Sequence, residues 1–586
     1  DGGVDFTVAG NWSNTGSFSH GNARTVTFDG GNQNISSSAF GNVVFAGTDT
    51  KTLQGNITLS ASLTINDAIT LDANNNGITL AGTWDNDAPT SVFIPGTATV
   101  TFEGYTADIF SGTGAGKSFY NVIVNKNTGQ TADMETDLDI DNDLVISSGY
   151  LRTQAYNIWV GGNFEVTGGI FNHNNNASRL TLNATSGTKI FNPGTSGTTF
   201  RGITIDATGV TYSVQNDFTI SQNQDFILTD GYFDLNGNTM NVVTNNQRII
   251  INGGTFDIDE GASVSFTNAN QQISIAGGIF RLVGTFASNA NLTRTGGSYT
   301  VSQTSGTFHA QYYRVELCNG ISISGGSIDG TNNFSNGTFT NGFGNAYLTL
   351  TGLDFADFNP ANVMFNTGPI YNVSRTSGNG VITFEDAFGA LAGENYDEDN
   401  GNPGTLIEWA FPTGFFWDGG DLVDNEDWNL ADNWSGNTVP TNSNLVILNH
   451  DYVAGPYTVR IKSANADVYR LISDDQGTGN GLELVLENGF DLNVDENMYI
   501  GSNTTFTQTD NTNIINIAQN YINEGTLING NSTIIFDGPA GSFTIDPGGS
   551  GAGKSFYNFI INATGATYSL SDVLDVDNNL TVTDGT

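Results

Sequence analysis

One cysteine, Cys318, stands in the whole chain of 586 residues, so no internal disulfide can hold it together. A lone thiol of this kind reads as a small buried hydrophobe. A long repetitive core does without disulfide staples, so the shortage does not assign the chain to a reducing compartment. Proline is scarce as well, at 11 against 74 glycines, and no Gly-X-Y period is present, which excludes a collagen-like chain. Basic residues number 17 against 59 acidic ones, and the resulting net charge of −42 repels phosphate backbones, so no nucleic-acid partner is expected. No apolar run reaches the roughly 20 residues of a membrane-spanning helix, no charged-then-apolar leader opens the chain, and no segment carries a convincing amphipathic-helix period. The 4 histidines, His20, His173, His309 and His450, are too scattered for a metal cluster. His20 and His173 each follow a phenylalanine by two residues, which predicts a role in turns.

What the sequence does contain is repetition. Residues 112–121, GTGAGKSFYN, return at 549–558 as GSGAGKSFYN, with Thr113 replaced by Ser550. The echo continues from Leu138-Asp139-Ile140-Asp141 to Leu574-Asp575-Val576-Asp577, and a third appears between Ala207–Val214 and Ala563–Leu570. A finer step is marked by glycine followed by an aromatic, ending at Phe233, Phe256, Phe280 and Tyr299, which are 23, 24 and 19 residues apart by subtraction. Between these marks lie short alternating runs such as Thr25-Val26-Thr27-Phe28 and Asn121-Val122-Ile123-Val124, punctuated by Gly, Asn, Asp, Ser and Thr. Short strands at a step of about 20 to 25 residues predict an all-β chain, a parallel β-helix or β-solenoid in which each coil buries its apolar face against its neighbours. Glycine would supply the positive φ of the corners, and the aromatic behind it would point into the stack.

The rhythm predicts three regions: a solenoid over 1–345, a β-rich cap or connector over 346–412, and a second solenoid over 413–586 with a Trp-rich entry. Leu353–Pro360 lacks the coil rhythm, and 4 of the 7 tryptophans, Trp409, Trp417, Trp428 and Trp434, crowd together near the second entry. Both ends of the chain fall inside repeats, so a window on a longer polypeptide is expected. The segment Trp417-Asp-Gly-Gly, Asp427-Trp-Asn and Ala431-Asp-Asn-Trp-Ser-Gly-Asn-Thr-Val-Pro440 resembles the opening of passenger-type β-helical repeats in very large surface proteins of outer-membrane bacteria, notably Bacteroidetes. Gly10–Gly30 and Gln519–Gly538 look like further modules of the same kind. The resemblance implies an extracellular adhesin or cell-surface fibre, exported to the bacterial surface.

Several chemical motifs compete with that reading. Gly548–Ser555 satisfies the phosphate-loop pattern, but a strand-like Phe-Tyr-Asn-Phe-Ile-Ile follows where a helix is required. Asp137, Asp139, Asp141 and Asp143 alternate with apolar residues and share one strand face, either as a solvated stripe or as the carboxylates of a glycosidase or lyase. The acidic loop Asn395–Gly404 is the best metal candidate. Asp397, Asp399 and Glu408 are its expected Ca²⁺ ligands, with Glu408 twelfth counting from Asp397, although Leu406–Trp409 reads as a strand where an EF-hand needs a helix.

Two function classes remain. The favoured one is a non-enzymatic structural or adhesive region providing length, stiffness and a display surface, an elongated rod of two solenoid segments with structural Ca²⁺ as its one expected cofactor. Its partners would be environmental or cell-surface polysaccharide, other cells, or further copies of itself in a fibre, with no direct membrane span. The alternative is a carbohydrate-active β-helix enzyme, a polysaccharide lyase or glycosidase. An ice-binding face is disfavoured because Thr-x-Thr pairs such as Thr25/Thr27 do not recur coil after coil.

Overall fold

Alternation of buried and part-exposed residues turns each short apolar run into a strand. Thr25–Phe28 buries Val26 and Phe28 and leaves Thr25 and Thr27 partly outside, and Asn42–Phe45 repeats the pattern. In the computed structural model the described residues are all except 1–3, 19, 21–23, 175–176, 196–198, 222–223, 286–287, 353–357, 367, 386, 388, 390, 401–405, 411–413, 451–452, 476–479, 511 and the side chain of Asn395. Among them are 63 short strands and two 3-10 turns, and no α-helix. The strands stack in parallel as a β-solenoid of about 24 turns, which is the expected fold. Part of the arrhythmic Leu353–Pro360 segment lies outside the described residues.

One column shows the construction. Val26, Val43, Leu63, Trp84, Ile109 and Met134 are successive partners in a single ladder, at steps of 17 to 25 residues. Each of them is at most 1% exposed. A parallel pair needs a long return between its strands, and here the rest of the coil supplies it.

The chain forms two compact units. The first comprises Asp1–Leu282, Asn291–His309 and Ile321–Asp329. In it Phe233, Phe256 and Phe280 are direct ladder partners, fully buried, with ring centroids 5.9 and 6.1 Å apart. The next ring is Phe308, 5.0 Å from Phe280. The expectation that Tyr299 continues this series is corrected: Tyr299 is buried, but its ladder partner is Gln271 and its ring stacks on Phe266. Gly306-Thr307-Phe308 is the true continuation, and the intervening coil is longer. Beside the rings runs a column of glycines. A Cβ on Gly254 would sit 2.2 Å from the carbonyl oxygen of Gly231, one on Gly278 2.4 Å from that of Gly254, and one on Gly306 2.4 Å from that of Gly278. Their φ angles of +65°, +63° and +77° add a second reason for glycine.

The second unit comprises Val283–Ala290, Ala310–Gly320 and Gly330–Thr586. Its division from the first does not fall at 345. Residues 346–412 keep the ladder: Ala346–Leu350 pairs with Tyr371–Ser374, Ser374 bridges to Glu398, and Ile382–Glu385 pairs with Ile407–Ala410. They join the following stack in one unit because Met364 packs in a common apolar cluster with Leu445, Ile447, Ile472, Tyr499 and Ile522. Arg470 also donates to the side-chain oxygen of Asn362 at 3.0 Å. The tryptophans divide. Trp409 stacks on Phe384 at the last pair of the earlier coils, at 4.8 Å, whereas Trp417, Trp428 and Trp434 are buried together where the later stack begins. Cys318 is 1% exposed, as expected.

Candidate functional site

The repeated motifs that looked chemical are joints between coils. In GTGAGKS and GSGAGKS every second residue is a glycine at positive φ, between +80° and +115°, and the lysine N–H closes the same turn in both copies, on Gly114 and on Gly551, at 3.0 Å. The Lys117 ammonium donates to the carbonyls of Asn86 and Ala88 and to Ser91 Oγ, and Lys554 donates to the carbonyl of Asn523. Strands Asn121–Lys126 and Phe556–Asn562 follow the two glycine segments. With the ammonium engaged by the fold's own carbonyls and no helix N-terminus behind it, the phosphate-loop reading fails.

The acidic stripe belongs to the same joint. Asp575 accepts the Gly551 N–H at 2.8 Å and Asp577 accepts the Ser555 hydroxyl at 2.8 Å. Asp139 and Asp141 do the same for Gly114 and for Ser118. The third echo is also structural. Tyr212 and Tyr568 are buried and their hydroxyls accept backbone N–H groups of Ala184 and Gly538, from the preceding coil in each case. Beyond these copies, Asn and Asp side chains across the chain accept the backbone N–H opening the next coil's strand. Examples are Asn56 to Gly77, Asp137 to Asn157, Asp225 to Arg248 and Asp491 to Ile514, all at 2.8–2.9 Å. Sequence reading took these residues as solvated punctuation and missed the capping role, whose signal was the recurrence of Asn or Asp one coil ahead of a strand. His173 fits its expected turn role, accepting the Arg201 N–H through Nδ1, and burial lowers its pKa to about 4.

Three arrangements remain outside this scaffold. On the outer face of the first unit, Tyr232, Asp257 and Arg281 stand on successive coils. The Tyr232 hydroxyl donates to Asp257, Arg281 Nε lies 3.2 Å from the same carboxylate, and burial raises both the Asp257 and the Tyr232 pKa. His309, on the coil of Phe308, lies 3.7 Å from Asp329. Within the second unit a polar groove of about 320 Å³ is walled by Thr338, Asn362, Asn497, Asn520 and Thr544, with Met364 in its apolar lining.

The third arrangement is the expected metal loop, part of which, 401–405, lies outside the described residues. Asp397 and Asp399 come together, but their third neighbour is Glu394, and ligand oxygens of these three lie within 4.8 Å of one another. Glu408 is not in the group: it lies on the exposed face of the strand Ile407–Ala410, whose Ile407 is buried. The expected set is corrected for a physical reason. The strand alternates sides, so Glu408 turns outward, whereas the 3-10 turn Glu394–Tyr396 brings positions three apart onto one side. Asp397 Oδ2 accepts the Trp409 indole N–H at 2.7 Å, and Asp399 Oδ2 accepts the N–H groups of Leu406 and Ile407 at 2.9 Å. Burial, opposed by the Trp409 bond and reinforced by the Glu394 and Asp399 charges, raises the Asp397 pKa to about 7. Compared with protein-family models, curated proteins and solved structures, the chain matches none.

Proposed function

We propose that this chain is a structural and adhesive repeat region of an extracellular surface protein of an outer-membrane bacterium, with polysaccharide as the class of ligand it holds. One observation carries the reading. The residues with catalytic potential in the repeats, Lys117, Asp139 and Asp141 and their counterparts Lys554, Asp575 and Asp577, are engaged in coil-to-coil bonds in both copies. A repeat whose polar groups hold its own coils serves extension, each coil adding a strand layer of about 4.8 Å. The amide- and hydroxyl-lined groove supplies hydrogen-bonding groups suited to sugar hydroxyls, over an apolar lining.

Electron microscopy of the parent protein on cells, with an attachment assay on a deletion strain, tests this. Surface fibres whose loss reduces attachment support it, and compact particles that cleave polysaccharide overturn it. The Tyr232–Asp257–Arg281 column, with His309 on the same side of the stack, favours a second reading as a carbohydrate-active enzyme. Under that reading Arg281→Ala would abolish a measurable release of reducing ends from acidic polysaccharide.

A further inference from the structure

Among the described residues, two buried carboxylate oxygens of the second unit have no hydrogen-bond partner. Asp399 Oδ1 and Asp397 Oδ1 accept no hydrogen bond, although Asp399 is 0% and Asp397 8% exposed. Buried acceptors left unmatched are rare and costly, and unmatched buried carboxylates more so. Their companion oxygens are fixed by Trp409, Leu406 and Ile407. Each carboxylate is therefore oriented, one oxygen held by the fold and the other left over. Glu394 brings a third carboxyl to the same place. Among the described residues no cationic side chain pairs with Asp397 or Asp399.

We propose that Glu394, Asp397 and Asp399 bind one Ca²⁺ ion, which fastens the last rungs of the coils ending at Ala410. Ca²⁺ takes oxygen ligands at about 2.3–2.6 Å, so two ligands of one ion are at most about 5 Å apart, and carboxylate oxygens of these three residues all lie within 4.8 Å of one another, close enough to share it. Mg²⁺, at about 2.0–2.1 Å, requires a tighter octahedron. The set has no His or Cys, which disfavours the softer transition metals. The ion would act on three elements at once: the turn Glu394–Tyr396, the rung at Glu398 that bridges to Ser374, and the final strand, whose first N–H groups rest on Asp399. None of this depends on the adhesive reading.

Trp409 makes the test local. Its indole N–H touches Asp397, so a Tb³⁺ ion in the site is within range of energy transfer from that ring. The full chain is titrated with TbCl₃ under tryptophan excitation, and then with CaCl₂ and MgCl₂ as competitors. Sensitised emission should saturate at one ion and be displaced by Ca²⁺ in preference to Mg²⁺. Asp399→Asn should abolish it. Glu394→Gln, on a half-buried turn residue, should lower Ca²⁺ affinity at least about 10-fold with the circular dichroism spectrum retained. Trp409→Phe should lose emission while calorimetry still detects Ca²⁺, and Glu408→Gln should match wild type. Emission that persists undiminished in Asp399→Asn and Glu394→Gln would assign the signal to diffuse binding on an acidic surface and overturn the proposal. So would Ca²⁺ heats and melting temperatures identical with and without chelator.

Discussion

Replacing Phe280 by Ala tests whether the ring ladder or the surrounding backbone carries local stability. Phe280 is fully buried, lies nearly parallel to Phe256 at 6.1 Å and meets Phe308 edge-on at 5.0 Å. Deleting it removes the transfer free energy of the ring and leaves a cavity that a stack fixed on both sides by ladders cannot close. Phe→Ala changes of this kind cost about 3–5 kcal/mol, and the loss of two ring contacts places this site toward the upper end. In a nearest-neighbour stack the loss stays local. Hydrogen exchange should show amides of Thr255–Ile258, Ile279–Val283 and Thr307–Gln311 exchanging roughly 10³-fold faster, with Ile78–Leu80 and Leu482–Leu486 unchanged. Unaltered protection between 230 and 300 would refute the inward ladder. Equal loss over the whole chain would refute the nearest-neighbour account.

Three other outcomes follow from the joints and the buried charges. Gly278→Ala places a Cβ 2.4 Å from the Gly254 carbonyl at a φ of +63°, so it should destabilise by more than the about 1–2 kcal/mol of the backbone conformation alone, read as a lower denaturant midpoint. Lys117→Met, which keeps the stem and removes the ammonium, should cost about 1–2 kcal/mol because the Asn86 and Ala88 carbonyls lose a charged donor. Glu524 is raised to about 7, mainly by burial, with the Tyr499 hydroxyl bond and Lys554 opposing and Asp474 and Asp546 reinforcing, and it also faces Tyr347 and Tyr396. A carboxyl whose folded pKa is raised stabilises below its unfolded value and loses that contribution as pH rises through the folded one. Stability should therefore fall on the order of 1–3 kcal/mol between about pH 4.5 and 7, and Glu524→Gln should flatten that slope in pH-dependent melts.

Much of the fold was legible because a coil writes its section into the sequence. Val26 and Phe28 alternate with threonines, and glycine precedes the ladder rings at Phe256 and Phe280, so strand, face and corner could each be read locally. The count of residues around a coil could not. Gly297-Ser298-Tyr299 carries the same local signature as the ring series but sits on a different ladder, since nothing in a tripeptide records how long the intervening corner is. The metal loop was half legible for a related reason. Asp397 and Asp399 are neighbours in sequence, but choosing Glu408 assumed a helical loop frame. The 3-10 turn that delivers Glu394 and the strand that turns Glu408 outward are set by pairing with Ser374 and Ile382, both distant in sequence. The capping acceptors were visible only as composition, because each acts on a backbone group about 20 residues away.

Four of those acceptors point one way along the chain. Asn56 holds the N–H of Gly77, Asp137 that of Asn157, Asp225 that of Arg248 and Asp491 that of Ile514, in every case an earlier side chain serving a later backbone. Other joints run the opposite way: Asp575 holds the N–H of Gly551, Asp259 that of Gly237 and Tyr212 that of Ala184. Neighbouring coils are therefore latched from both sides by side chains as well as by strand edges, so a coil that opens at either end of a stack breaks capping bonds along with its ladder.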